Sequence, residues 1–155
     1  MTTNLPQDFS SYVPGNDSAL VSATTLALID AAVAADVVNR VWEAARDDAG
    51  LAQVVAPLVG SLADLPAFAV VVVDGGSARA LVRGDLEVIA GQVRISGQGV
   101  ATWREETLLG DPDAAWLDVT VARVGSSGGD ELPVLAGVVR AGQATSRLDL
   151  RPASE

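Results

Sequence analysis

The side chains able to do chemistry in this chain are carboxylates and guanidiniums, because histidine, cysteine and lysine are all absent. Acids stand close together at Asp47-Asp48, Glu105-Glu106, and Asp111 with Asp113. Paired carboxylates serve general acid–base hydrolysis and can hold hard cations through oxygen ligands. Each cluster falls short of both roles. Asp111-Pro112-Asp113 lacks the further ligands of a calcium loop, and neighbours on a strand such as Glu105 and Glu106 point to opposite faces. Without imidazole there is no side chain with an ordinary pKa near neutrality, and the commonest metal ligand is missing. Without thiols there is no thiolate nucleophile, no zinc–thiolate centre and no disulfide. Without lysine there is no Schiff base. The sequence therefore predicts no metal, no cofactor and no catalysis, and any reaction it did run would be carboxylate chemistry.

All ten basic residues are arginine. Arg79, Arg83 and Arg94 fall on one sheet face if the hairpin registers are simple. Such a stripe can clamp carboxylates or phosphates of a partner, or balance the many acids across strands. With Trp103 these arginines form the candidate partner-binding surface. The glycine-rich stretches carry less. Gly97-Gln98-Gly99 has only the opening of a dinucleotide fingerprint and lies between strands, so no helix N-terminus stands ready for a phosphate. Gly125 to Asp130, GSSGGD, reads as a polar loop for the same reason. Arg83-Gly84-Asp85 spells an integrin-type tripeptide but is expected as a hairpin corner, with Gly84 permitting the turn and Asp85 capping it.

The elements that must position these groups follow from hydrophobic periodicity. Ser18–Ser22 and Thr24–Asp30 are strand-like runs after the turn formers Pro14, Gly15, Asn16 and Asp17. From Ala35 to Ala49, Val37, Val38, Val41, Trp42 and Ala45 share one helical face, and Gly50 ends that helix. Leu51–Leu62 repeats the pattern, but Pro57 lies inside it, so a kink or a shorter helix is expected. After Leu65-Pro66 the period changes to alternation. Ala67–Val73 is an apolar run suited to a strand covered on both faces, and Asp74-Gly75-Gly76 suits a tight hairpin. Ser77–Arg83, Leu86–Ala90, Val93–Ser96, Val100–Leu109 and Ala115–Val124 follow as strands, with reversals at Gly84-Asp85 and Gly91-Gln92. Leu132–Arg140 and Ala144–Leu150 are expected as a final hairpin turned at Ala141-Gly142-Gln143.

These elements make an α+β fold, with two N-terminal helices packed on a mostly antiparallel meander or sandwich of about eight to ten strands. The expected organisation is an arm over residues 1–17, a single domain over 18–150, and a tail or linker start over 151–155. A chain of 155 residues suffices for one core burying roughly 70% of the unfolded surface. Hydrophobic residues make up 49% of the chain, yet only six are aromatic: Phe9, Tyr12, Trp42, Phe68, Trp103 and Trp116. The core therefore rests on valine, leucine, alanine and isoleucine with few ring anchors. A formal charge of −10 argues against nucleic-acid backbones and anionic membrane surfaces as partners. No apolar stretch reaches the ~20 residues of a membrane span, and the N-terminal residues lack a secretory pattern, so a cytoplasmic protein is expected.

Four stretches carry a family likeness: FSSYVPGNDSALVS from Phe9, VVNRVWEAARDDAGLAQVVAPLV from Val37, LPAFAVVVVDGGSARALVRGDLEV from Leu65, and SGQGVATWREETL from Ser96. Together they resemble the N-terminal region of actinobacterial proteins that carry a forkhead-associated (FHA) domain near their C-terminus. The most specific pieces are Leu65 to Ala69, Val82 to Asp85, and Ser96 to Glu105 around Gly99, Thr102 and Trp103. The likeness extends to roughly Val121. It implies a signalling or scaffold protein whose companion domain reads phosphothreonine. The Gly-Arg, Ser and Asn-His loops of an FHA domain are missing here, so no phosphopeptide-binding residue carries over.

The expected function is accordingly non-catalytic protein interaction, with an exposed strand edge able to recruit a peptide or another copy of the chain. Two other classes stand beside it. A small-ligand or carboxylate-dependent enzyme on a β-barrel or jelly-roll scaffold would show a deep pocket lined by Glu105, Asp111 and an arginine. A structural assembly subunit would show a flat apolar edge repeated by symmetry.

Overall fold

A computed structural model describes residues 10–22, 24–47, 50–58, 66–74, 77–90, 93–99, 103–108, 116–124, 132–134 and 137–149. Its strands are β1 (Ser10–Val21), β2 (Thr25–Ile29), β3 (Phe68–Asp74), β4 (Ser77–Ala90), β5 (Val93–Gly97), β6 (Arg104–Leu108), β7 (Trp116–Arg123), β8 (Leu132–Val134) and β9 (Gly137–Asp149). Two helices, α1 (Ala35–Arg46) and α2 (Leu51–Val55), lie between β2 and β3. The pairings are antiparallel and close on themselves in the circuit β1–β2–β3–β4–β7–β9–β1, while β5 and β6 add to β4 and β8 adds to β1. This is the predicted α+β architecture, a largely antiparallel sheet with two helices packed against it.

The apolar residues divide between two cores by strand alternation. Leu26 and Leu28 of β2, Ala69 and Val71 of β3, and Val119 and Val121 of β7 meet inside the circuit. Ala27, Ile29, Phe68, Val70 and Val72 point the other way and are covered by Val38 and Val41 of α1 and Val54 and Val55 of α2. Leu26–Ile29 of β2 and Phe68–Val73 of β3 are apolar without a break because both of their faces are covered. In α1, Asp36 in the first turn and Arg46 in the last complement the helix dipole. α2 ends at Val55, seven residues short of the periodic pattern's end at Leu62. Pro57 has no N–H for the next helical bond, and the chain tightens instead through Leu58 N–H to the Val55 carbonyl at 2.8 Å.

Three expectations about strand ends differ. Ser10 to Asp17, read from sequence as part of an arm, pairs with β8 and β9. Gly84-Asp85 does not reverse the chain. β4 runs through it as one strand, because Gly84 at φ +79° absorbs an irregularity in the pairing between Gly84 and Glu87. Nor does Ala141-Gly142-Gln143 turn a hairpin, since β9 continues through it to pair with β1 and then β7. At this point β1 and β9 pass so closely that a Cβ on Gly15 would lie 2.8 Å from the Gly142 Cα. Among the described residues no helix is long and apolar enough to cross a membrane. Phe9, Asp48, residues 59–62, Asp111, Asp113, the GSSGGD loop and residues 151–155 lie outside the described residues.

Candidate functional site

The irregularity in β4 creates a polar junction. Residues 77–83 of β4 lie against β3 and β6, and residues 86–90 lie against β5 and β7. Three backbones converge between these halves. A Cβ on Gly84 would lie 2.6 Å from the Ala67 Cβ, and one on Gly97 would lie 2.5 Å from the Arg83 Cα. Contacts this short admit only glycine without a backbone shift. The result is an open pocket of about 330 Å³ walled by Asp30, Arg83, Asp85, Gln98 and Arg123 with glycine backbone between them.

Part of the charge in the pocket is already paired. Arg123, at the end of β7, grips Asp17 of β1 with both arms of its guanidinium: Nε to Oδ2 at 3.1 Å and Nη2 to Oδ1 at 2.8 Å. Asp30, one residue past β2, stands 3.8 Å from the same Nη2. Asp17 also accepts the Ala31 N–H at 2.9 Å, and its side chain is only 7% exposed. The hydrogen bond to Asp17 raises the Arg123 pKa above its ordinary value, outweighing the opposing effect of burial. Asp85 accepts the Gln98 side-chain amide at 3.3 Å, and its carbonyl accepts Val124 N–H at 2.8 Å. Among the described residues the pocket walls carry no hydroxyl, thiol or imidazole, and there is no group of three metal-ligating side chains. This arrangement can hold a small polar molecule, and it fastens β1, β2 and β7 together.

The four residues of the expected partner surface are divided by the same junction. Arg79 and Arg83, four apart on β4, flank Leu81 on the helix-side face, and Trp103 packs half-buried against that same core. Arg79 pairs with Glu105 of β6, and Arg83 lines the pocket. Arg94 belongs to β5, opposite Ile89, and holds the buried Glu87 carboxylate through two 3.0 Å bonds. Arg79, Arg83 and Trp103 thus share the β4–β6 region, and Arg94 acts on the other half of β4. Glu105, proposed from sequence as a possible wall of an enzymatic pocket, is exposed on β6 and paired to Arg79.

Sequence reasoning did not find Asp17, Asp30 or Arg123. Asp17 sits in a run of turn formers and Arg123 lies 106 positions later, so only the sheet register brings them together. No family model, curated protein or solved structure matches the chain.

Proposed function

We propose that this chain is a non-catalytic protein-interaction module of an intracellular bacterial signalling protein, the companion of an FHA domain that reads phosphothreonine. The observation that carries the interaction reading is the state of β6. Arg104, Glu105, Glu106 and Thr107 are exposed in succession, and among the described residues this strand pairs only with β4. An unpaired edge offers a row of backbone donors and acceptors to another chain. The FHA companion rests on the sequence likeness alone.

The direction of those backbone groups follows from the ladder. Val73 N–H donates to the Thr24 carbonyl, so Val73 faces β2 and Val72 faces β4. Val72 pairs with Arg79, which turns Ala80 toward β6, and Ala80 pairs with Glu106. Glu106 is therefore bonded to β4, and the N–H groups of Glu105 and Thr107 point outward.

A photo-crosslinking side chain at residue 107 tests the reading in the cell of origin, with exposed Gln53 on α2 as the control position. A defined protein captured from residue 107 and not from residue 53 is the expected result. Capture at neither position, or equally at both, contradicts it, and capture of only a second copy of the chain favours assembly instead. A small-ligand role has one observation in its favour, the open polar pocket at the β4 junction, whose volume lies at the lower end of ligand sites.

A further inference from the structure

Beside the β6 edge lies a second opening of about 330 Å³, lined by Ala90, Val93, Glu106, Thr107, Leu108 and Leu117. Its floor is apolar: Ala90, Leu108 and Leu117 belong to the core inside the circuit. Val93 forms a rim and is 51% exposed, the most exposed large apolar residue described. One acid breaks this apolar lining. Glu106 lies two residues from Leu108, on the same face of β6, and makes no ion pair with another described residue. An apolar trough with one carboxylate in its lining suits a long side chain with an aliphatic stem and a cationic head. Arg104 stands about 7 Å further up the strand, so the attraction for a cation is local to Glu106 and Leu108.

We propose that the free edge of β6 takes an extended peptide as an added strand, and that the trough takes a lysine or arginine of that peptide, its methylenes on Leu108 and Leu117 and its charge at Glu106. The proposal rests on the interaction reading above and specifies its partner. The partner segment pairs its backbone with the outward N–H groups of Glu105 and Thr107 and alternates apolar with basic residues. The formal charge of −10 favours the approach of such a segment over an acidic one.

Fluorescence anisotropy at low salt tests this with two labelled probes of about ten residues, one alternating valine with lysine and one alternating valine with glutamate. The lysine peptide binds saturably, and the glutamate peptide binds at least about tenfold more weakly. Thr107→Pro, which deletes an outward N–H without touching the β4 ladder, weakens lysine-peptide binding by about tenfold or more, and Glu106→Arg does the same. Circular dichroism checks that each variant is folded; residue 106 is exposed, so its reversal keeps the test open even if the proline variant unfolds. Failure of the lysine peptide to bind, or equal binding to wild type and Glu106→Arg, overturns the proposal. Should the peptide fail while residue 107 still captures a protein in cells, the peptide chemistry is wrong and the interaction reading stands. Failure of both removes both.

Discussion

Asp17 and Arg123 are the residues on which the polar junction depends. Removing the carboxylate leaves a partly buried guanidinium with its strongest partner gone and the Ala31 N–H without its acceptor. Because Arg123 is 37% exposed, water recovers part of that loss. Asp17→Ala should therefore lower unfolding free energy by about 2–3 kcal/mol in urea titration. Arg40→Ala, which breaks a 3.7 Å pair between side chains 66% and 70% exposed, should change it by less than about 0.5 kcal/mol. Equal effects would show that the junction is no more than a surface pair. Thr25 presents the opposite case. It is fully buried, and its hydroxyl has no hydrogen-bond partner among the described residues. Thr25→Val keeps the shape and removes the unpaired oxygen, so it should raise stability by about 1 kcal/mol, measured by the same titration. A loss would mean that the hydroxyl is in fact bonded.

At the scale of elements, the informative places are those where a strand changes partners. β4 does so at Gly84, and β1 and β9 shift register against each other where Gly15 meets Gly142. Gly97→Ala would push a methyl into the Arg83 backbone, and Gly15→Ala would push one into Gly142. Each should cost about 2 kcal/mol or more, whereas Gly50→Ala, with open space around it, should cost under about 0.5 kcal/mol. Thermal melts of the three variants check this, and equal melting points would contradict the crowding. The same places explain how far the fold was legible in the sequence. β2, β3 and α1 could be read because their periodicity reports burial directly. Gly84-Asp85 could not, since glycine followed by aspartate is equally good chemistry for a hairpin and for an irregularity inside a strand. Only the residues paired on either side decide between them, and those come from β3, β5, β6 and β7. Asp17, Asp30 and Arg123 were hidden for the same reason: each looks like a solvated charge until the strands are in register. Alternation along β4 puts Arg79 and Arg83 on one face, while the carboxylate that Arg94 holds shows only in the β4–β5 register.

Among the described residues the molecule is a closed antiparallel circuit with helices over one side, Asp17, Asp30 and Arg123 joined at a junction, and one side of β6 without a strand partner. A chain without histidine or cysteine has no side chain whose ordinary pKa lies between pH 6.5 and 8.5. The raised pKa of Arg123 contributes stability that is complete below the ordinary arginine value and is lost only as pH rises through the still higher folded value. Unfolding free energy should therefore vary by less than about 0.5 kcal/mol across that window, and a steeper dependence would show an ionisation that the described side chains do not supply. The proposed role depends on β6 being bonded to β4 on one side and, among the described residues, open on the other. Residue-resolved amide exchange by NMR on the free protein tests it most directly. Glu106 and Leu108, bonded to β4, should exchange at least about a hundredfold more slowly than Glu105 and Thr107, whose N–H groups face outward. Uniform protection from residue 105 to residue 108 would mean that the edge is already covered, and the interaction role assigned to it would fall.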